Sequence, residues 1–144
     1  MKLKTYGLTG QALDWAVALA IGATEKIMPS GRTWLKLPND SYYVSNRGSY
    51  NFKPSTNWAQ CGPLIAEHSI MLAQSGDKWY AFSKDNEFNP YRGSHYIDCL
   101  FNDADGWGET PLIAACHAIV ASCIGEDIDI PDELCSPLDD LIRS

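Results

Sequence analysis

Residues 50–63 gather side chains suited to holding a planar, phosphorylated molecule. Tyr50, Phe52 and Trp58 alternate there with Ser55, Thr56, Asn57 and Gln60, beside Lys53 and ahead of Gly62. Aromatic faces stack on planar rings, hydroxyls and amides read ring edges, and backbone bared at a glycine can approach phosphate oxygens. Arg32, Arg47 and Arg92 lie near glycines in turn-like segments, where guanidinium groups fork onto phosphates. The expected ligand is a nucleotide-type small molecule, held by Arg47, Tyr50, Lys53, Ser55, Thr56, Asn57, Trp58, Gln60, Gly62 and Arg92. The same residue types also suit an interior, with Trp58 as a core anchor and Ser55 or Thr56 as a helix cap.

The remaining reactive residues assemble no catalytic pattern. His68, His95 and His117 stand alone, without the H-x-x-x-H spacing of a metal site. Cys61 precedes Gly62 and Pro63 at an expected helix start, where the dipole would favour a thiolate; a small residue packed in a tight turn is the stronger reading. Asp14, Glu67 and Asp98 suit acid–base work only if the fold brings them together. There is no G-x-S-x-G, P-loop or G-x-G-x-x-G. These residues predict a binding protein with no catalytic residue, no metal and no cofactor. An enzyme acting on a nucleotide is the remote alternative.

The 144 residues carry 11 basic and 18 acidic side chains, a net charge of −7. Residues 125–144 hold seven acids against Arg143 alone. The rest of the chain is nearly neutral and lacks the lysine–arginine surplus that a nonspecific duplex binder needs, so no nucleic-acid partner is expected. An acidic segment at about 126–144 suggests a second reading, an inhibitor that imitates DNA phosphates for a host protein. Five cysteines, odd in number and without C-x-x-C, fit neither a disulfide framework nor a zinc ribbon, and reduced thiols fit a cytoplasmic protein. Cys116 and Cys123, seven apart on an expected helix, are read as small core residues. No apolar run approaches the ~20 residues of a membrane span, and the first residues lack the apolar stretch of a secretory signal. No membrane partner is expected.

The elements that must position these residues read as one α+β domain over residues 1–144. Two main helices are expected on a short, mainly antiparallel sheet. The first covers residues 9–22, capped by Thr9 and ended by Gly22, with Leu13, Val17, Ala20 and Ile21 as its buried stripe. Trp15 lies off that stripe and marks a surface for self-association, so a homo-oligomer is expected. The second covers residues 110–125, with Thr110 as cap, Pro111 in the first turn and Gly125 at its end. A short helix is expected with Pro63 in its first turn. Strands are expected at 33–37, 41–44 and 96–101, with a hairpin of 70–73 and 79–82 turning at 75–77; residues 84–95 read as a loop.

Three segments together resemble the NinX-like family of tailed-phage accessory proteins. They are residues 8–18, residues 50–65 with the run Pro-Ser-Thr-Asn-Trp-Ala-Gln-Cys-Gly-Pro, and residues 110–122. The family usually carries an acid where Asn57 stands and glycine where Cys61 stands. The resemblance implies a phage protein acting in the bacterial cytoplasm, and it supplies no reaction. Joined to the aromatic loop, it suggests capture of a nucleotide signal made by host antiviral defence.

Overall fold

The computed structural model describes residues 1–38, 41–86 and 103–135. Arg92, His95, Asp98, Cys99 and the expected strand at 96–101 lie outside the described residues, as do the last nine residues of the acidic segment.

Three α-helices and three small antiparallel sheets make up the described fold. β1 (Lys2–Lys4) pairs with β8 (Asp127–Asp129); β2 (Thr24–Ile27), β3 (Thr33–Lys36) and β4 (Tyr43–Ser45) form a second sheet in that order; β5 (Met71–Ser75), β6 (Lys78–Phe82) and β7 (Gly106–Gly108) form a third. The helices are α1 (Gly10–Ala20), α2 (Trp58–Glu67) and α3 (Pro111–Cys123). The expected arrangement of two helices on one sheet is therefore replaced. The short strands are distributed around the helices, because residues 2–4 pair with 127–129 and neither segment has a neighbour in the other sheets.

α3 is central. Its residues Leu112, Ala114, Ala115, Cys116, Ala118, Ile119 and Val120 are buried, and it packs on β6 and β7 as well as on α1 and α2. Thr110 caps it, its hydroxyl accepting from the Ile113 N–H at 3.1 Å. The helix lies so close to β7 that a Cβ at Gly106 would stand 2.4 Å from both the Ala114 carbonyl oxygen and the Ala118 nitrogen. His117, also buried, ties the layers together: Nδ1 lies 2.7 Å from the Trp107 carbonyl and Nε2 lies 2.7 Å from the Leu8 carbonyl. Cys123, at the last position of α3, is exposed, because the helix runs past the core by then; of the two, Cys116 fills core volume.

Two more expectations change. Trp15 is 3% exposed and belongs to the core, since α1 is covered on more than its Leu13–Val17 side. It presents no surface for self-association. α2 begins at Trp58, so Pro63 lies beyond its first turn: Asn57 supplies the cap, its side-chain oxygen accepting from the Gln60 N–H at 3.3 Å. Pro63 is thus inside the helix, and Cys61 lies in its fourth position and not at a helix start. Among the described residues no helix is long and apolar enough to cross a membrane.

The close approach at β7 predicts that Gly106→Ala destabilises the protein by about 1–3 kcal/mol or more, as overpacking does, because backbone and not a flexible side chain must yield. Urea unfolding of the two proteins measures it; an unchanged midpoint would contradict the packing described.

Candidate functional site

α1 presents two polar residues three apart, Gln11 and Asp14, on one face. The Gln11 amide donates to the Ser45 carbonyl at 2.6 Å, pinning β4 to the helix. Asp14 is 1% exposed. Its Oδ1 accepts from the Ser55 N–H at 2.9 Å and its Oδ2 from the Tyr50 hydroxyl at 3.1 Å. Burial raises the Asp14 carboxyl above its ordinary value of 3.8, and these donors, with the Lys53 charge, oppose the shift. Burial and the neighbouring carboxylate together push the Tyr50 hydroxyl up to about 12.

The segment that carries most of the expected ligand residues is thereby tied down from within. Ser55 is buried, as are Phe52 and Pro54. Gln60 closes the far side: its amide donates to the Asn51 carbonyl at 2.9 Å, and its oxygen accepts from the Lys53 N–H at 2.6 Å. Lys53 places its ammonium 4.9 Å from the centre of the Tyr50 ring. Thr56 and Asn57 are exposed, and Trp58 is 55% exposed at the start of α2. Gly62 lies within α2, where its backbone joins the helix. The structure thus brings Tyr50, Lys53, Ser55 and Gln60 together around Asp14 and their own backbone, while Thr56, Asn57 and Trp58 face outward. A cavity of about 440 Å³ lies behind this segment, lined mainly by apolar residues including Leu37, Tyr42, Phe52, Pro63 and Leu64; Gln60 is the member of the expected set that reaches it.

The chemistry expected of residues 50–63 recurs on the neighbouring sheet. A second cavity, about 400 Å³, is lined by Met28, Arg32, Trp34, Tyr43 and Ser49. Trp34 and Tyr43 meet edge to face, ring centres 6.1 Å apart and planes at 89°. The Arg32 guanidinium lies against Gly48, where an added Cβ would be 3.6 Å from its terminal nitrogen. Its Nε is buried and has no hydrogen-bond partner among the described residues. Arg47 is exposed in the turn that leads through Gly48 to Ser49, two residues from a wall of this cavity, and it does not join the Asp14 cluster. Strand alternation holds the clue that was missed: Trp34 and Leu35 must point to opposite faces, and Leu35 is the apolar one.

The Asp14 strap also holds this cavity in shape. Asn51, next to Tyr50, accepts from the Tyr43 N–H at 2.7 Å and donates to the Ser41 carbonyl at 2.7 Å. Ser45 Oγ donates toward the Arg47 and Ser49 carbonyls, at 2.8 and 3.1 Å. Two cavity walls, Tyr43 and Ser49, are fixed in this way.

The other groups considered for chemistry lie elsewhere. Cys61 and Cys116 place their thiols against each other between α2 and α3; that contact, together with burial, holds Cys116 well above the ordinary thiol range. In the acidic segment, Asp127 pairs with Lys4 at 2.9 Å and Asp132 with the N-terminal ammonium at 3.0 Å, so part of its charge is met within the chain. Among the described residues, no group of three or more His, Cys, Asp or Glu side chains is placed to hold a metal ion.

A family model described as Bacteriophage P22, NinX, matches residues 4–123. No curated protein matches the chain.

The buried carboxylate generates a test of sign as well as size. Because its folded value lies above 3.8, Asp14 holds its proton better in the folded state. Its contribution to stability is therefore fully present below 3.8 and is lost as the pH rises through the raised value. Asp14→Asn should remove that decline, so the stability difference between wild type and variant should change between pH 3.5 and 7 by urea unfolding. Asp14→Ala should be less stable than Asp14→Asn, because it orphans the buried Ser55 N–H at a cost of about 1–3 kcal/mol. A pH-independent difference would contradict the assignment.

Proposed function

We propose that this chain, which belongs to the NinX family of bacteriophage proteins, captures a nucleotide-type small molecule in the cavity between Arg32, Trp34 and Tyr43. The observation that carries this reading is the Arg32 Nε, buried beside an aromatic wall without a protein acceptor among the described residues. A desolvated donor on a charged group is costly to leave unmade, and a phosphate oxygen satisfies it with a charge-assisted bond. The Trp34 ring offers a stacking surface for a base, and the Met28 thioether and the Ser49 edge bound the site. A volume of about 400 Å³ falls within the range of about 300–1,000 Å³ common for small-molecule pockets.

The binding residues in this reading are Arg32, Trp34 and Tyr43, with Arg47 at the margin; Tyr50, Ser55 and Gln60 hold the frame behind them. The role is sequestration without turnover. A phage protein of this kind acts in the host cytoplasm, where it withdraws a nucleotide signal of antiviral defence.

Calorimetry against a panel of linear and cyclic nucleotides tests the reading. Arg32→Gln should weaken binding by about 10–150-fold, the size of a charged hydrogen bond, and Trp34→Ala should weaken it by a comparable factor. Trp58→Ala should leave it unchanged. No binding across the panel, or binding indifferent to Arg32, would overturn the proposal.

A further inference from the structure

The sheet that carries the cavity also orders the charges around it. Met28 donates to the Arg32 carbonyl at 2.8 Å, and from that closing bond the β2–β3 register runs Ile27 opposite Thr33, Lys26 opposite Trp34 and Glu25 opposite Leu35. Leu35 and Val44, directly paired and buried, fix the inner face. Side chains alternate along a strand, so Lys26, Arg32, Trp34 and Lys36 all lie on the outer face, and Glu25 does not. Tyr43, paired with Lys36, joins them.

Three basic residues therefore share the face of Trp34, and of these Arg32 lines the cavity. Arg32 precedes it by two residues and Lys36 follows by two, each about 7 Å along the strand, while exposed Lys26 stands across the ladder at about 5.5 Å. A mononucleotide stacked on Trp34 with its phosphate on Arg32 uses one side of this face and leaves Lys26 unmatched. We infer that the cavity's ligand is a dinucleotide, linear or cyclic, whose two phosphates flank one stacked base, the first on Arg32 and the second on Lys26. This rests on the nucleotide-capture reading and adds the number and placement of phosphates. A free dinucleotide fits better than a long strand, because beyond this local patch the chain has no lysine–arginine surplus to hold an extended polyanion.

The test is calorimetry of the full chain with AMP, ADP, the linear diadenylate pApA, cyclic di-AMP and a twelve-residue oligo-dA. The expected result is that at least one diadenylate binds ten or more times tighter than AMP, while ADP, with both phosphates on one side of the base, gains less than threefold. Lys26→Gln, an exposed substitution whose folding is checked by a thermal melt, should reduce the diadenylate advantage to below threefold and leave AMP unchanged. Arg32→Gln should weaken all of them.

If AMP binds through Arg32 and neither diadenylate exceeds it, this inference fails and the capture reading stands. An advantage that survives Lys26→Gln, or is matched by ADP, also overturns the phosphate placement. Tighter binding of the twelve-residue strand than of either diadenylate overturns the choice of a small ligand. No binding of any of them overturns both readings.

Discussion

A carboxylate removed from water is costly unless hydrogen bonds meet it, and Asp14 is met by two donors from one segment, the Ser55 N–H and the Tyr50 hydroxyl. That requirement fixes more than its own neighbourhood. With its oxygens committed to residues 50 and 55, the intervening backbone becomes a strap held to α1. Asn51 and Gln60 then latch the strap to β4 and to the start of α2. Gln11, one turn earlier on α1, anchors Ser45 on the same sheet. One face of one helix thus sets the position of the β2–β3–β4 sheet and of the loop behind it.

In the proposed reading this division of labour separates framework from recognition. The strap is aromatic and amide-rich, yet its polar groups are largely spent on the chain itself. The sheet it braces turns Trp34, Tyr43 and Arg32 outward around a cavity, with Leu35 and Val44 buried on the other side. A guanidinium whose Nε is already desolvated needs little reorganisation to receive an anion. Holding such a group on a braced strand pair, and not on a free loop, reduces the ordering cost of binding.

The main helices were legible because local chemistry specifies them: Thr110 caps α3 and Pro111 opens it, and Leu13 and Val17 of α1 and Leu112, Cys116, Ile119 and Val120 of α3 are buried as their spacing indicated, while Ala20, Ile21 and Cys123 are not. The start of α2 was misread because Pro63 is a strong helix-start signal, whereas the real cap, Asn57, is one of several polar residues in a row. Trp15 looked like a surface residue on a helical wheel, but α1 is enclosed on more than one side. The β1–β8 pairing joins residues 2–4 to 127–129, a separation no periodic pattern reveals.

The site shows the same limit. Tyr50, Lys53, Ser55 and Gln60 have side chains that would suit a nucleotide, and composition cannot tell a ligand's hydrogen bonds from those of a buried aspartate. Asp14 itself gave no sign of its role, since a polar residue on a helix reads as exposed until the loop that covers it is known. Trp34 was legible in principle through its alternation with Leu35, and Arg32 was singled out as a turn guanidinium. Their meeting with Tyr43 depends on β3–β4 register, which sequence spacing alone did not supply.

The central claim is that Arg32 is held ready for an anion, and the Nε–Hε resonance of that side chain reports on it most directly. Assigned by comparison with Arg32→Lys and followed by ¹H–¹⁵N NMR during titration with AMP, the Hε signal should move downfield and exchange more slowly with water as the site fills. A signal that stays in place while AMP saturates the protein, or while no resonance of Trp34 moves, would contradict the account.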